Sequence, residues 1–185
     1  IIAGQDGGHP MPLAAAMDSL TRNPPALNVA FYAGHGTIRS AVMGDDFKRP
    51  ARAGEVDSMR RLLERGLSTG LEYDPGINSD RSEVMALAKV AAAAGGRYIS
   101  HIRSEDRWFF EAIDEIITIG REAKLPVQIS HVKLAMIPLW GQADSLIRVL
   151  DRARASGIDV TADIYPYPYR QSTLTVLFPK RDFDN

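Results

Sequence analysis

Two short stretches of the chain end on the same side chain. Tyr98–Arg103 reads YISHIR and Val127–Lys133 reads VQISHVK, so Ile-Ser-His occurs twice, with His101 and His131 thirty positions apart. The chain holds only four histidines, so the pairing is not a matter of abundance. Each of the two closes an apolar run that reads as a β-strand. Each is followed two positions later by a cation, Arg103 or Lys133. If the runs are neighbouring parallel strands, their ends lie roughly 5 Å apart. Two imidazoles at that separation can share one zinc ion, with Zn–N distances near 2.0–2.1 Å. The plainer alternative, two strand-end histidines bonded locally, suits a lone histidine better than a matched pair.

Other residues with chemical reach also fall at strand ends. Asp6 sits in AGQDGG, where flanking glycines let the backbone bend and a short carboxylate reach inward. There it would be an anionic ligand able to bridge two ions, although an Asp-Gly turn accounts for the same dipeptide. His35, between glycines in AGHGTIRS, reads as a ligand, a turn residue or a group supporting the ligands; the supporting role is favoured. GLEYDPG at Gly70–Gly76 offers Glu72, to pair with a cation or face the site, and Tyr73, to line a pocket. In TADIYPYPYRQSTL a strand ends at Asp163, and tyrosines then alternate with prolines. Proline cannot donate to a ladder, so this segment leaves the sheet. Tyr165, Arg170 and Ser172 suit a pocket wall that holds a polar ligand.

These residues need a scaffold that brings strand ends together. The pattern predicts strands at Ile1–Ala3, Asn28–Ala33, Ser68–Glu72, Arg97–His101, Val127–His131 and Asp159–Ile164. It predicts helices over Glu55–Arg65, from an Asp80 cap with Glu83 in a capping box to Gly95, over Glu105–Lys124 with Ser104 as N-cap, and over Gln142–Ser156. Alternation of this kind means a parallel sheet with crossover helices. Steps of about thirty residues match one βα unit of an eight-fold barrel, whose C-terminal strand ends converge on one mouth. No Gly-rich phosphate loop supports an open doubly wound sheet. The expected fold is therefore a partial (β/α)8 TIM barrel of about six units filling residues 1–185, with two units missing.

The 185 residues have 45% hydrophobic and 24% charged content and a net charge of −1, which gives no electrostatic case for a nucleic-acid or anionic-membrane partner. No apolar run is long enough to span a bilayer. The absence of cysteine excludes disulfides and thiolate zinc sites. The first residues, IIAGQDGG, begin inside a strand without an initiator Met, so a piece of a longer polypeptide is expected and the compartment is not readable; the cytoplasm is the default.

As an ordered set, GQDG, GHGTIR, GLEYDPG, YISHIRSE, ISHVK and TADIYPY resemble the N-acyl-D-amino-acid deacylase (D-aminoacylase) branch of the amidohydrolase superfamily. The resemblance implies a zinc-dependent hydrolase of N-acyl-D-amino acids, with one or two zinc ions in a (β/α)8 barrel. It matches His101 and His131 to the family's strand-end ligands and Lys133 to its substrate-binding lysine. Tyr165, Ser172 and Tyr73 match pocket residues. Asp6 falls where the family often has a cysteine. The family's first-strand His-x-His pair and last-strand catalytic Asp are expected outside the chain, so no catalytic acid–base is assigned within it. The implied partner is a small N-acyl amino acid, and an incomplete barrel, with its exposed strand edges, is expected to dimerise, recruit the missing units or aggregate, so a homo-oligomer is one of the open outcomes. Another amidohydrolase activity, such as cyclic-amide hydrolysis, or a non-catalytic barrel fragment, fits the same barrel.

Overall fold

Among the residues described by a computed structural model, 1–63 and 66–177, the strands are parallel and follow one another in chain order. They are β1 (Ile2–Ala3), β2 (Ala30–Phe31), β3 (Ala33–Gly34), β4 (Leu67–Gly70), β5 (Tyr98–His101), β6 (Val127–Ile129) and β7 (Val160–Ala162). β1 pairs with β2, and β3 to β7 form a five-stranded sheet in that order. Only Tyr32 separates β2 from β3. Tyr32 N–H donates to Ala3 (3.0 Å) and Ala33 N–H to Gly66 (2.7 Å), so this one run hands its hydrogen bonds from one neighbour to the next. Counted so, there are six staves, as the sequence predicts. The order never reverses, which is the wall of a (β/α)8 barrel and not a doubly wound sheet.

The helices are α1 (Leu13–Arg22), α2 (His35–Met43), α3 (Ala53–Leu62), α4 (Arg81–Ala93), α5 (Phe109–Ala123) and α6 (Ala143–Ala155). The hydrophobic core lies between the helices and the outer face of the sheet. Leu67, Tyr98, Val127, Ile129 and Val160 from the strands are buried there with Ile38, Met59, Leu87, Ile113, Ile116 and Ile119 from the helices. Each such aliphatic side chain contributes roughly 1.5–3 kcal/mol on burial. Paired residues of parallel strands share a face, so the register Leu67↔Tyr98↔Val127↔Val160 stacks these four side chains outward. The alternate set, Ser68, Ile99 and Gln128, faces the barrel interior.

Several local expectations change. α1 and α2 form where the sequence reading assigned no helix, and His35 is the first residue of α2. α3 starts at Ala53, while Glu64 and Arg65 of the expected helix lie outside the described residues. Asp80 does cap α4, accepting from Glu83 N–H at 2.8 Å, but the Glu83 carboxylate is drawn away to His35 and Arg39. α5 begins at Phe109 and not at Glu105. Ser104 Oγ accepts from the amides of Asp106 (3.3 Å) and Trp108 (3.2 Å), closing a turn before the helix. That turn frees Glu105 from the helix surface. No helix of the described residues is long and apolar enough to cross a membrane.

Candidate metal centre

β5 delivers His101 inward from its last residue, at 1% exposure. The register pairs Ser100 with Ile129, so His101 stands level with Ser130 and the two Ile-Ser-His triplets are offset by one residue. Strict alternation would then turn His131 away from His101. It does not, because His131 adopts φ 37°, the left-handed region that costs a non-glycine residue roughly 1–2 kcal/mol. Its amide donates to Asp163 Oδ1 at 2.7 Å, which pins this conformation, and Gln128 Nε2 donates to Asp163 Oδ2 at 2.6 Å. The result brings His101 Nδ1 within 3.1 Å of His131 Nε2.

Asp6 arrives from the loop after β1. That loop lies directly on inward-facing glycines. A Cβ at Gly70 would stand 2.4 Å from the Asp6 carbonyl oxygen, and one at Gly34 2.4 Å from that of Gly7. With no side chain at either position, Asp6 Oδ2 reaches within 3.5 Å of His131 Nε2. Asp6, His101 and His131 each offer one ligand atom, all within 4.8 Å of one another. Two ligands on one tetrahedral zinc ion sit about 3.3 Å apart, given bond lengths near 2.0–2.1 Å. The 3.1 and 3.5 Å contacts bracket that spacing, so the donor set fits such an ion.

The carboxylates and imidazoles of the cluster are coupled by charge. Burial pushes the Asp6 carboxyl up, but the hydrogen bond and positive charge of His131 outweigh it and hold the group below its usual range. Burial lowers His131, yet the Asp6 and Glu105 carboxylates overcome this and raise it to about 9. Glu105 is likewise pushed up by burial and pulled below its usual value by His131, His101 and Lys133.

The remaining residues named from the sequence fall into two groups. Tyr73 packs against His101 with ring centroids 4.4 Å apart, and its hydroxyl stands 3.5 Å from Ser172 Oγ. Burial raises the Tyr73 hydroxyl. Lys133 Nζ lies 5.4 Å from the Tyr165 ring centroid and contacts Glu105, which also accepts from Arg170 Nη1 at 3.3 Å. Lys133, Tyr165 and Arg170 line a cavity of about 240 Å³ beside the centre. His35 is elsewhere. Its Nε2 is 2.7 Å from Glu83, whose carboxylate also takes two bonds from Arg39 Nη1, in a buried cluster that ties α2 to α4. Through Glu83 it links α2 to α4.

Glu105 is the residue that sequence reading misses as part of the site. Its signal is its place four residues past His101, but the expected helix start hides it. Glu72, weighed as a cation partner, lies 2.9 Å from His101 Nε2.

No family profile matches the sequence. The chain is 39% identical over 176 residues to N-acyl-D-glutamate deacylase of Alcaligenes xylosoxydans xylosoxydans, covering 91% of this chain and 35% of that protein. Its fold superposes on the crystal structure of N-acyl-D-glutamate deacylase from Bordetella bronchiseptica, complexed with zinc and a phosphonate mimic of the tetrahedral intermediate. There the TM-score is 0.85 at 32% identity, over 91% of this chain and 41% of that one. This chain belongs to the N-acyl-D-amino-acid deacylase family of amidohydrolases. The crystal structure of a D-aminoacylase, which defines a subset of amidohydrolases, matches at TM-score 0.82 and 31% identity over 90% of this chain and 41% of that one. The fold is that of a partial barrel of this deacylase type. The chain spans about a third of the length of the curated relatives it matches.

Proposed function

We propose that the protein is a zinc-dependent amidohydrolase that cleaves the amide of N-acyl-D-amino acids to a carboxylate and a D-amino acid. The convergence of His101 Nδ1, His131 Nε2 and Asp6 Oδ2 at the spacing of a zinc ligand sphere carries this reading. The likeness to a zinc-bound N-acyl-D-glutamate deacylase supports it. When bound, zinc supplies Lewis-acid polarisation of the amide carbonyl and a water of lowered pKa.

The chain's own residues hold and orient. Asp6, His101 and His131 are the proposed ligands. Asp6 replaces the family's frequent cysteine with a harder oxygen donor and, with two oxygens, can serve one ion or bridge two. Lys133 and Arg170, beside the Tyr165 ring, face the substrate carboxylate as cationic donors. Tyr73 stands against His101, with Ser172 beside its hydroxyl, as further pocket residues. We assign no general acid–base among these residues; the family pattern puts that carboxylate at the end of the last barrel strand.

The test is chiral product analysis on the intact protein with a panel of N-acetyl-D- and N-acetyl-L-amino acids. Release of D-amino acids is expected. Absence of release from every D-amide, or release confined to L-amides, overturns the proposal.

A further inference from the structure

A neutral imidazole carries its proton on one nitrogen and offers the other to a metal, so an acceptor aimed at one nitrogen selects the other as ligand. Both histidines of the candidate centre meet such an acceptor. His101 Nε2 lies 2.9 Å from Glu72 Oε2, with the two side chains 1% and 2% exposed. His131 Nδ1 lies 3.1 Å from Glu105 Oε1, and the Glu105 side chain is 2% exposed. The two rings are thus held by opposite nitrogens. The other two nitrogens, His101 Nδ1 and His131 Nε2, face each other, and Asp6 Oδ2, the third proposed ligand, lies 3.5 Å from the latter. Lys133 Nζ, a donor only, also stands 2.9 Å from His131 Nδ1 and bonds the same Glu105 oxygen, so Glu105 and Lys133 compete to set the state of that nitrogen.

We infer that Glu72 and Glu105 are positioning residues that fix the two imidazoles in opposite tautomers, Nε2–H in His101 and Nδ1–H in His131, and so aim the metal-binding nitrogens at one point. The inference rests on the metal reading above. It also explains how rings from strands one residue out of register converge: each is gripped from behind, one by the loop after β4 and the other by the turn before α5. A carboxylate that merely filled the core would not dictate which ring nitrogen binds a metal.

The decisive experiment is long-range 1H–15N correlation NMR on the intact, zinc-loaded protein, combined with chelator competition on Glu72 and Glu105 variants. The wild type is expected to show its ring proton on Nε2 of His101 and on Nδ1 of His131. Glu72→Ala and Glu105→Ala are expected to bind zinc roughly tenfold to hundredfold more weakly. Glu72→Gln and Glu105→Gln, which keep size and an acceptor oxygen, should recover part of that loss. The wild-type proton positions do not depend on any variant folding. A proton on Nδ1 of His101 or Nε2 of His131, or folded alanine variants with wild-type affinity, overturns the inference while leaving the metal centre standing. Zinc uptake unchanged by His101→Ala and His131→Ala overturns both.

Discussion

His101 Nδ1 lies 3.1 Å from His131 Nε2, although His101 stands level with Ser130. A one-residue offset between neighbouring strands ordinarily puts two side chains on opposite faces of the sheet. Here the left-handed turn at His131, φ 37°, cancels the offset. The proposed metal centre therefore depends on backbone geometry just beyond β6 as much as on the identity of the proposed ligands.

Asp163 should matter to that turn without touching a metal. Its Oδ1 accepts the His131 amide at 2.7 Å. Asp163→Ala is expected to weaken zinc binding roughly tenfold, equivalent to about 1.4 kcal/mol. Asp163→Asn, which keeps an acceptor, should stay within about threefold of wild type. Chelator competition reads both, and an Asp163→Ala affinity equal to wild type would remove this role.

Gly70 should act at a distance on Asp6. A methyl group there meets the Asp6 carbonyl at 2.4 Å, a backbone atom that must move. Gly70→Ala is expected to cost roughly 1–3 kcal/mol of stability. Zinc affinity should fall as well, because the displaced loop carries a ligand. Thermal melts with and without zinc separate the two effects: the zinc-dependent part of the melting shift should shrink.

The cluster of His35, Arg39 and Glu83 predicts a specific acid response. Burial pushes the Glu83 carboxyl up, but bonds from His35 and Arg39 outweigh it and hold it at about 2, below an ordinary 4.5. The folded value is the depressed one, so its stabilisation is full above about pH 4.5 and disappears as pH falls to about 2. Glu83→Gln should lose stability at neutral pH and flatten the dependence in that window. Melting temperature against pH for both proteins checks this; parallel curves from pH 5 to 2 would contradict it.

Lys133 and Arg170 should report on substrate binding. If they face a substrate carboxylate, Lys133→Met and Arg170→Met each raise KM by roughly tenfold or more, beyond any loss of stability from leaving Glu105 without that cation. Amides lacking that carboxylate should show no such rise. Steady-state kinetics on matched acid and amide substrates distinguishes the outcomes.

Much of the scaffold is legible because its signals are local. Asp80 marks the start of α4 in place, and short runs with β-branched residues such as VQI mark strands. The histidine pair is legible by spacing, but its register is not, because a one-residue slip and a compensating turn are properties of paired strands. Glu105 is hidden by a competing local rule. Ser104 with following acids resembles a helix start, whereas its hydroxyl closes an earlier turn and sends Glu105 to His131 and Lys133. His35, flanked by glycines, reads in the sequence as a group supporting the ligands and gives no helix signal; its helix forms because Ile38 and Met43 bury against the barrel and Arg39 finds Glu83.

Zinc affinity in the intact protein, measured by chelator competition for wild type, Asp6→Ala, His101→Ala and His131→Ala, tests the central claim most directly. Tight binding by the wild type and a loss of at least about tenfold in each variant is the predicted result. Binding that is undiminished in folded His101→Ala and His131→Ala proteins would contradict the metal centre outright.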